Sequence, residues 1–269
     1  MLSRIMAHLV AGYPDRRASL EVARGLIDGG CGYLEIQFPF SDPTADGPLI
    51  QEACDRALKA GFRLGEGFEL VEEIQRLAAP PIFIMSYANP VIVRGVEAFL
   101  AEARRAGAAG VIVPDLPIDT DEGLFALSKR LGLHAVPVVS PNTSEKRLEL
   151  LRALDLEYAY ATLRGGITGA YTEIGEENLV FLRRLGALHL KILAGFGIST
   201  LEQVRALEPH VHAVVAGSVF VREIRDELER HNSAVHRPSS FPGLYEAVRG
   251  RMQELTGSPQ PAGRRVVAP

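Results

Sequence analysis

A chain of 269 residues, 47% hydrophobic and 23% charged, can bury a sizeable core without metals or disulfides as staples. Its formal net charge of -4 argues against nucleic acid as the main partner. The two cysteines, Cys31 and Cys54, have neither a CxxC neighbour nor a zinc-like spacing, and read as reduced thiols.

The chain opens on MLSRIMAHLV, whose apolar run is too short for an export signal, and no run approaches the roughly eighteen apolar residues of a membrane span. A cytoplasmic protein is expected. From there, short apolar runs recur in chain order: IMAHLV (5–10), YLEIQF (33–38), IFIMSY (82–87), GVIVP (110–114), HAVPVV (134–139), YAYATL (158–163), LKILA (190–194) and VHAVVA (211–216). Between them lie stretches such as SLEVARGLIDGG, VEAFLAEARRAGA, DEGLFALSKRLG, SEKRLELLRAL, ENLVFLRRLG and TLEQVRAL, with apolar residues on one helical stripe and several closed by Gly. Eight alternations of strand and helix predict a parallel α/β fold, a closed (β/α)8 TIM barrel in preference to an open sheet. The second unit carries extra helical length, PLIQEACDRALKAG and GEGFELVEEIQRL, and a last helix, LYEAVRGRMQEL, follows the eighth strand. One domain over residues 1–256 is expected, with 257–269, rich in Pro and Gly, as a disordered tail.

In such barrels the active site is built by the loops after the strands. Strand two ends in LEIQFPFSDPTADGP, where alternation sets Leu34, Ile36 and Phe38 on one face and Glu35 and Gln37 on the other, the lumen side of a closed barrel. A carboxylate there needs hydrogen bonds or a shifted pKa, which suits it to proton transfer; the other reading is a structural Glu paired with a buried cation. Asp46 follows in a loop stiffened by Pro39, Pro43 and Pro48, so that Asp42 and Asp46 are both expected over the mouth, although Asp in such loops is commonly turn chemistry. Strand seven runs into GFGIST and strand eight into GSVF before a helix, a pattern that suits backbone binding of phosphate. The loop after strand six, LRGGITGAYTEIG, has glycines enough for a lid and equally for a simple flexible connection.

Taken together, PFSDPTADGP (39–48), YANP (87–90), GVIVPDLP (110–117), RGGITG (164–169), GFGIS (195–199) and AGS (216–218) resemble the tryptophan synthase alpha subunit family, from Ile5 to about residue 222 in order. The resemblance implies retro-aldol cleavage of indole-3-glycerol phosphate to indole and glyceraldehyde 3-phosphate in tryptophan biosynthesis. Under it, Glu35 is the glutamate that shuttles protons at the indole ring carbon and the glycerol hydroxyl, and Asp46 the aspartate that accepts the indole N–H. Gly169, Gly197, Gly217 and Ser218 match phosphate-binding positions, Tyr160 and Phe196 line the substrate pocket, and Thr168 is the lid threonine that reaches the aspartate. No metal or organic cofactor is implied in this chain. The implied partner is a pyridoxal-phosphate beta subunit, in an alpha2-beta2 complex, meeting the side that carries the SDP loop and the lid.

Several positions depart from the family pattern. Strand one begins within the first five residues, without the usual preceding helix, so a more open barrel bottom, or its cover by another element, is expected. Gln37 stands where Gly is common, His8 and Val10 at lumen-side positions that often hold an aromatic or Pro and a Thr, and Leu163 where Ser is frequent. These four are expected to reshape the indole end of the pocket or to alter coupling to the beta subunit, with the phosphate end intact and His8 alternatively a hydrogen-bonded core residue. Two other functions stay open on the sequence: a stand-alone lyase or related phosphate-binding barrel, and a non-catalytic barrel that activates a partner.

Overall fold

The computed structural model describes residues 4–163, 174–195, 197–232 and 243–258. Among these, nine parallel strands form one sheet in the order β5-β4-β3-β2-β1-β9-β8-β7-β6. They are β1 (Ile5–Val10), β2 (Tyr33–Gln37), β3 (Ile82–Met85), β4 (Gly110–Ile112), β5 (His134–Val136), β6 (Val138–Val139), β7 (Tyr158–Thr162), β8 (Lys191–Gly195) and β9 (Ala213–Ala216). The run HAVPVV supplies both β5 and β6, because Pro137 has no N–H to give to a ladder. Its first half pairs with β4 and its second with β7, and the carbonyl of Pro137 accepts from the amide of Tyr160 at 2.9 Å. The nine strands thus occupy the eight staves of a nearly closed (β/α)8 barrel.

Each stave is followed by helix, and local chemistry sets the ends. α1 (Arg16–Asp28) starts where the carboxylate of Asp15 accepts from the amide of Ala18 at 2.8 Å, and it stops before Gly30, whose φ of +93° favours glycine. The second unit holds α2 (Pro48–Lys59), with proline in its first turn, and α3 (Leu64–Gln75). After β3 comes α4 (Ala88–Arg94), which the sequence pattern does not announce: its seven residues, ANPVIVR, are too few to show a helical stripe. The circuit continues with α5 (Val96–Arg105), α6 (Leu124–Arg130), α7 (Glu145–Ala153), α8 (Glu176–Gly186), α9 (Leu201–Leu207), α10 (Ser218–Asn232) and α11 (Leu244–Thr256). The expected disordered tail lies almost wholly outside the described residues, which resume only as far as residue 258. Among the described residues, no helix is long and apolar enough to cross a membrane.

Alternation along the strands produces two apolar layers. Leu34, Ile36, Ile84, Val111 and Val214 belong to the outer layer, packed with the helices, whereas Met6, Phe83, Met85, Ile112, Leu193 and Val215 fill the lumen. Gly110 is required at the start of β4, since a Cβ there would lie 2.8 Å from the Phe83 ring and 2.3 Å from the carbonyl oxygen of His134. At the opposite end from the mouth, Tyr158 meets Tyr33 and Phe83 edge to face and Tyr33 and Phe83 pack tilted, with ring centroids 5.3–6.4 Å apart. The Tyr33 hydroxyl and His212 Nε2 share a hydrogen bond of 2.7 Å, and Glu157 pairs with both Lys191 and His134 at the rim. The lower end of the lumen is therefore stoppered by side chains of the strands themselves.

α11 lies across α1. Gly25 and Gly29 let it approach, because a Cβ on Gly25 would stand 2.6 Å from the backbone oxygen of Tyr245, and one on Gly29 2.6 Å from the Cβ of Met252. Leu244, Val248 and Met252 are fully buried in this contact. Met252→Ala is expected to lower the free energy of unfolding by about 2–5 kcal/mol, measured by urea denaturation, with the protein still folded at 25 °C. A loss below about 0.5 kcal/mol would mean that α11 contributes little to the folded barrel.

Candidate active site

At the C-terminal ends of the strands a cavity of about 250 Å³ opens. Around the ring β1, which bears His8, stands between β2, which bears Glu35 and Gln37, and β9, which leads to Gly217. All four of these residues line the cavity, together with Asp46, Tyr160, Gly197 and Ser218. Ile50, Met85, Ile112, Val138 and Val215 supply its apolar wall. Six of the nine candidate site residues taken from the sequence are thereby brought to one space. The other three, Thr168, Gly169 and Phe196, lie outside the described residues, as does most of the proposed lid.

Glu35 is buried on the lumen face of β2, 5% exposed, with Oε2 3.5 Å from Nδ1 of His8. Asp46 is 4% exposed although it sits in a loop. The Tyr87 hydroxyl donates to its Oδ2 at 2.8 Å and the Gln37 amide donates to the same oxygen at 2.7 Å. The backbone amide of Ala45 donates to the Tyr87 hydroxyl at 3.1 Å, which fixes the direction of that proton toward the carboxylate. Gln51 ties the loop further by donating to the carbonyl of Asp46 at 2.8 Å. Burial raises the pKa of Asp46, as does the charge of Glu35, against the opposing pull of His8, Tyr87 and Gln37. Burial likewise raises the phenol of Tyr160, and the nearby carboxylates Glu35 and Asp46 add to the shift, so it stays a neutral hydroxyl. Cys54, which receives a 3.3 Å contact from the Gln37 amide, is pushed up to about 12 by burial and the charge of Asp46.

Across the cavity, Gly197 turns the chain after β8 with φ of +74°, in the region that favours glycine. Gln203 braces that turn: its side-chain oxygen accepts from the amides of Ser199 at 2.8 Å and Thr200 at 3.1 Å, and its amide donates to the carbonyl of Gly197 at 3.1 Å. Ser218 opens α10, a fifteen-residue helix whose first amides and dipole face the same bowl. Such a bowl suits an anion, and among the described residues no cationic side chain lines it. Among the described residues, no three His, Cys, Asp or Glu side chains gather as metal ligands would.

The structure corrects three expectations. Asp42 is exposed and takes the hydroxyl of Ser41 at 2.6 Å, so only Asp46 of the loop reaches the mouth: the turn closed by Asp46 N to Pro43 O at 3.0 Å directs one carboxylate inward and leaves the other in water. Val10 and Leu163 are buried in the outer apolar cluster and do not line the cavity, whereas His8 and Gln37 do. Two substitutions of the four therefore touch the cavity directly. Not singled out in the sequence are Thr162, Ser140 and Asn142, which line the cavity, and Tyr87, which reaches Asp46 from behind it. Tyr87 was legible, since Phe83, Met85 and Tyr87 follow one another on the lumen face at the end of β3.

A nearly closed (β/α)8 barrel with buried carboxylates and a helix-ended glycine bowl sharing one cavity at the strands' C-terminal face belongs to the class of barrels that work through their βα loops. The family model described as tryptophan synthase alpha chain matches residues 3–249, and the chain belongs to that family. The tryptophan synthase alpha chain of Helicobacter hepaticus is 40% identical over 231 residues, 83% of this chain and 86% of that one. That of Pyrococcus furiosus is 37% identical over 225 residues, 83% and 90% of the two chains. Among solved structures, a chain of the tryptophan synthase complex from Pyrococcus furiosus superposes with a TM-score of 0.81 at 32% identity, covering 96% of this chain and 100% of that one. Mycobacterium tuberculosis tryptophan synthase gives 0.82 at 27% identity, covering 95% and 92%.

Because the folded-state pKa of Asp46 is raised, its protonated form is the one that folding favours; that contribution is present below the unfolded carboxyl value of about 3.9 and is lost as pH rises through the folded value. Asp46→Asn, which removes the buried charge, is expected to leave the melting temperature at pH 7 unchanged or raised. A clear fall at pH 7 that disappears at pH 4 would contradict that sign.

Proposed function

We propose that this chain cleaves indole-3-glycerol phosphate to indole and glyceraldehyde 3-phosphate by general acid–base catalysis. The observation that carries the proposal is the placing of two buried carboxylates, Glu35 and Asp46, in one cavity with the anion bowl of Gly197, Gly217 and Ser218. Phosphate seated on the amides of that bowl sends the glycerol chain toward Glu35 and the ring toward Asp46. Asp46 accepts the ring N–H; as the ring carbon that bears the glycerol chain takes a proton, positive charge develops at nitrogen and this hydrogen bond strengthens in the transition state. Tyr87 and Gln37, both bonded to Oδ2, hold the carboxylate in place for that contact. Glu35 gives a proton to the ring carbon that carries the glycerol chain. The carbon–carbon bond then breaks with its electrons returning to the ring, the adjacent hydroxyl loses its proton and becomes the aldehyde, and the carboxyl is restored. The protonated ring is the electron sink, so no Schiff-base lysine is called for. Gly169, Thr168 and Phe196 take the phosphate-binding, lid and ring-packing roles that the family pattern gives them.

The same reading supplies a partner. Ile92 is 47% exposed and Val93 79% exposed on α4, directly after the strand end that carries Tyr87. Apolar side chains presented to water beside a cavity mouth suit a docking surface, here for a beta chain that receives the indole. The pyridoxal phosphate of the pair would then reside in that beta chain.

Glu35→Gln is expected to lower kcat for indole release from indole-3-glycerol phosphate by about 10²- to 10⁴-fold with a smaller effect on KM. Equal turnover by wild type and Glu35→Gln would remove Glu35 from the chemistry. Val93→Asp is expected to weaken association with a beta chain at least tenfold in a titration, while the basal cleavage rate of the isolated chain stays the same.

A further inference from the structure

Two buried side-chain atoms of the cavity wall have no hydrogen-bond partner among the described residues: Nε2 of His8 and Oε1 of Gln37. Gln37 is otherwise engaged, with its amide nitrogen on Asp46 and Cys54. His8 is the more consequential, because a buried imidazole with one nitrogen idle is costly unless that nitrogen meets a group that comes and goes. The ring is 4% exposed, and Nδ1 lies 3.5 Å from Oε2 of Glu35. On its other side a Cβ built on Gly217 would touch the His8 Cβ at 3.5 Å, so His8 stands between the carboxylate of Glu35 and the turn that opens α10. A substrate whose phosphate sits at that turn and whose reacting carbon sits at Glu35 must lay its glycerol chain past this ring.

We propose that His8 is a second catalytic residue, whose Nε2 takes the proton from the glycerol hydroxyl as the carbon–carbon bond breaks, while Nδ1–H is held by Glu35. The proposal rests on the cleavage reaction proposed above. The arrangement is that of a base oriented by a carboxylate through its second ring nitrogen, with the Nδ1 to Oε2 contact shortening as substrate closes the site. The steps balance. Glu35, protonated on Oε1, gives that proton to the ring carbon; the bond to the glycerol carbon breaks and its electron pair returns to the ring; the hydroxyl O–H electrons form the carbonyl and its proton goes to Nε2. Glu35 is left as carboxylate beside imidazolium. Transfer of the Nδ1 proton to Oε2 then restores a protonated Glu35 and a neutral His8, in which the proton on Nε2 returns to Nδ1 through solvent once product has left. The charged and titratable groups facing His8 are Glu35 from β2, Asp46 from the loop after it and Tyr160 across the lumen; β9 and α10 present Gly217 and Ser218, which carry no charge.

The test compares wild type, His8→Gln, His8→Phe and Glu35→Gln in indole release from indole-3-glycerol phosphate between pH 5 and 9, with melting temperatures recorded in parallel. In His8→Gln and His8→Phe kcat is expected to fall at least tenfold at pH 7.5, with KM changed less than threefold and the shape of the pH profile altered. His8→Phe keeps an aromatic ring in the wall, so it carries the comparison should His8→Gln fail to fold. A folded His8 variant with kcat within twofold of wild type and the same pH profile, beside an inactive Glu35→Gln, would overturn the role of His8 and leave the cleavage reading standing. An active Glu35→Gln would overturn both.

Discussion

A carboxylate can be kept inside a protein only where donors already point at it, and two donors converge on Oδ2 of Asp46. Tyr87 reaches it from the end of β3 and Gln37 from the end of β2, two neighbouring strands whose register is fixed by their shared ladder. Their separation cannot change without breaking backbone hydrogen bonds, so the carboxylate is held by the sheet although it belongs to a loop. Burial raises the pKa of Asp46, and the two bonds together with His8 work against it. The loop from Pro39 to Pro48 closes over the barrel mouth because this anchorage exists. Glu35, two residues before Gln37, then faces the same space without any further device.

Much of this was legible in the sequence because periodicity is a strong signal where one face of a strand is polar. Glu35 and Gln37, set among Leu34, Ile36 and Phe38, could only face a lumen, and β2 delivers both to the cavity. The positions after β8 and β9 were marked by glycine in the two units where barrels bind phosphate. Less legible was anything that depends on which way a loop turns. Asp42 and Asp46 share one Pro-rich segment, yet one ends in water and the other in the cavity, a distinction made by a single turn at Pro43. Helix α4 escaped for a different reason: seven residues span two turns, too short for an apolar stripe to repeat. Pro137 was visible as a residue but not as a boundary, since the halves of HAVPVV read as one apolar run.

The barrel divides its work between its two ends. At the bottom, Tyr33, Phe83 and Tyr158 pack ring against ring and His212 completes the layer through the hydroxyl of Tyr33. Tyr33 pairs with His212 there, and Glu157 with His134 and Lys191. At the mouth, His8 Nε2 and Gln37 Oε1 are left unpaired, and Asp46 is held against its burial. Unsatisfied groups lower stability wherever they occur; Ser128 Oγ and Arg249 Nε are two more, on the outer helices, while within the lumen the unpaired atoms lie at the mouth.

The proline between β5 and β6 has a mechanical corollary. Below Pro137 the stave is bonded to β4 and above it to β7, so near the mouth the ends of β4 and β6 face each other without a shared ladder. The cavity wall at that place is lined by Ile112, Pro114, Val138 and Ser140, with Val138 packed against the apolar cluster that holds Ile112. Elsewhere the circumference is a stiff hoop of hydrogen bonds; here it has an expansion joint. At this joint dispersion between side chains stands in for a ladder, whereas Glu35, Gln37 and Tyr87 stand on β2 and at the end of β3, which share one.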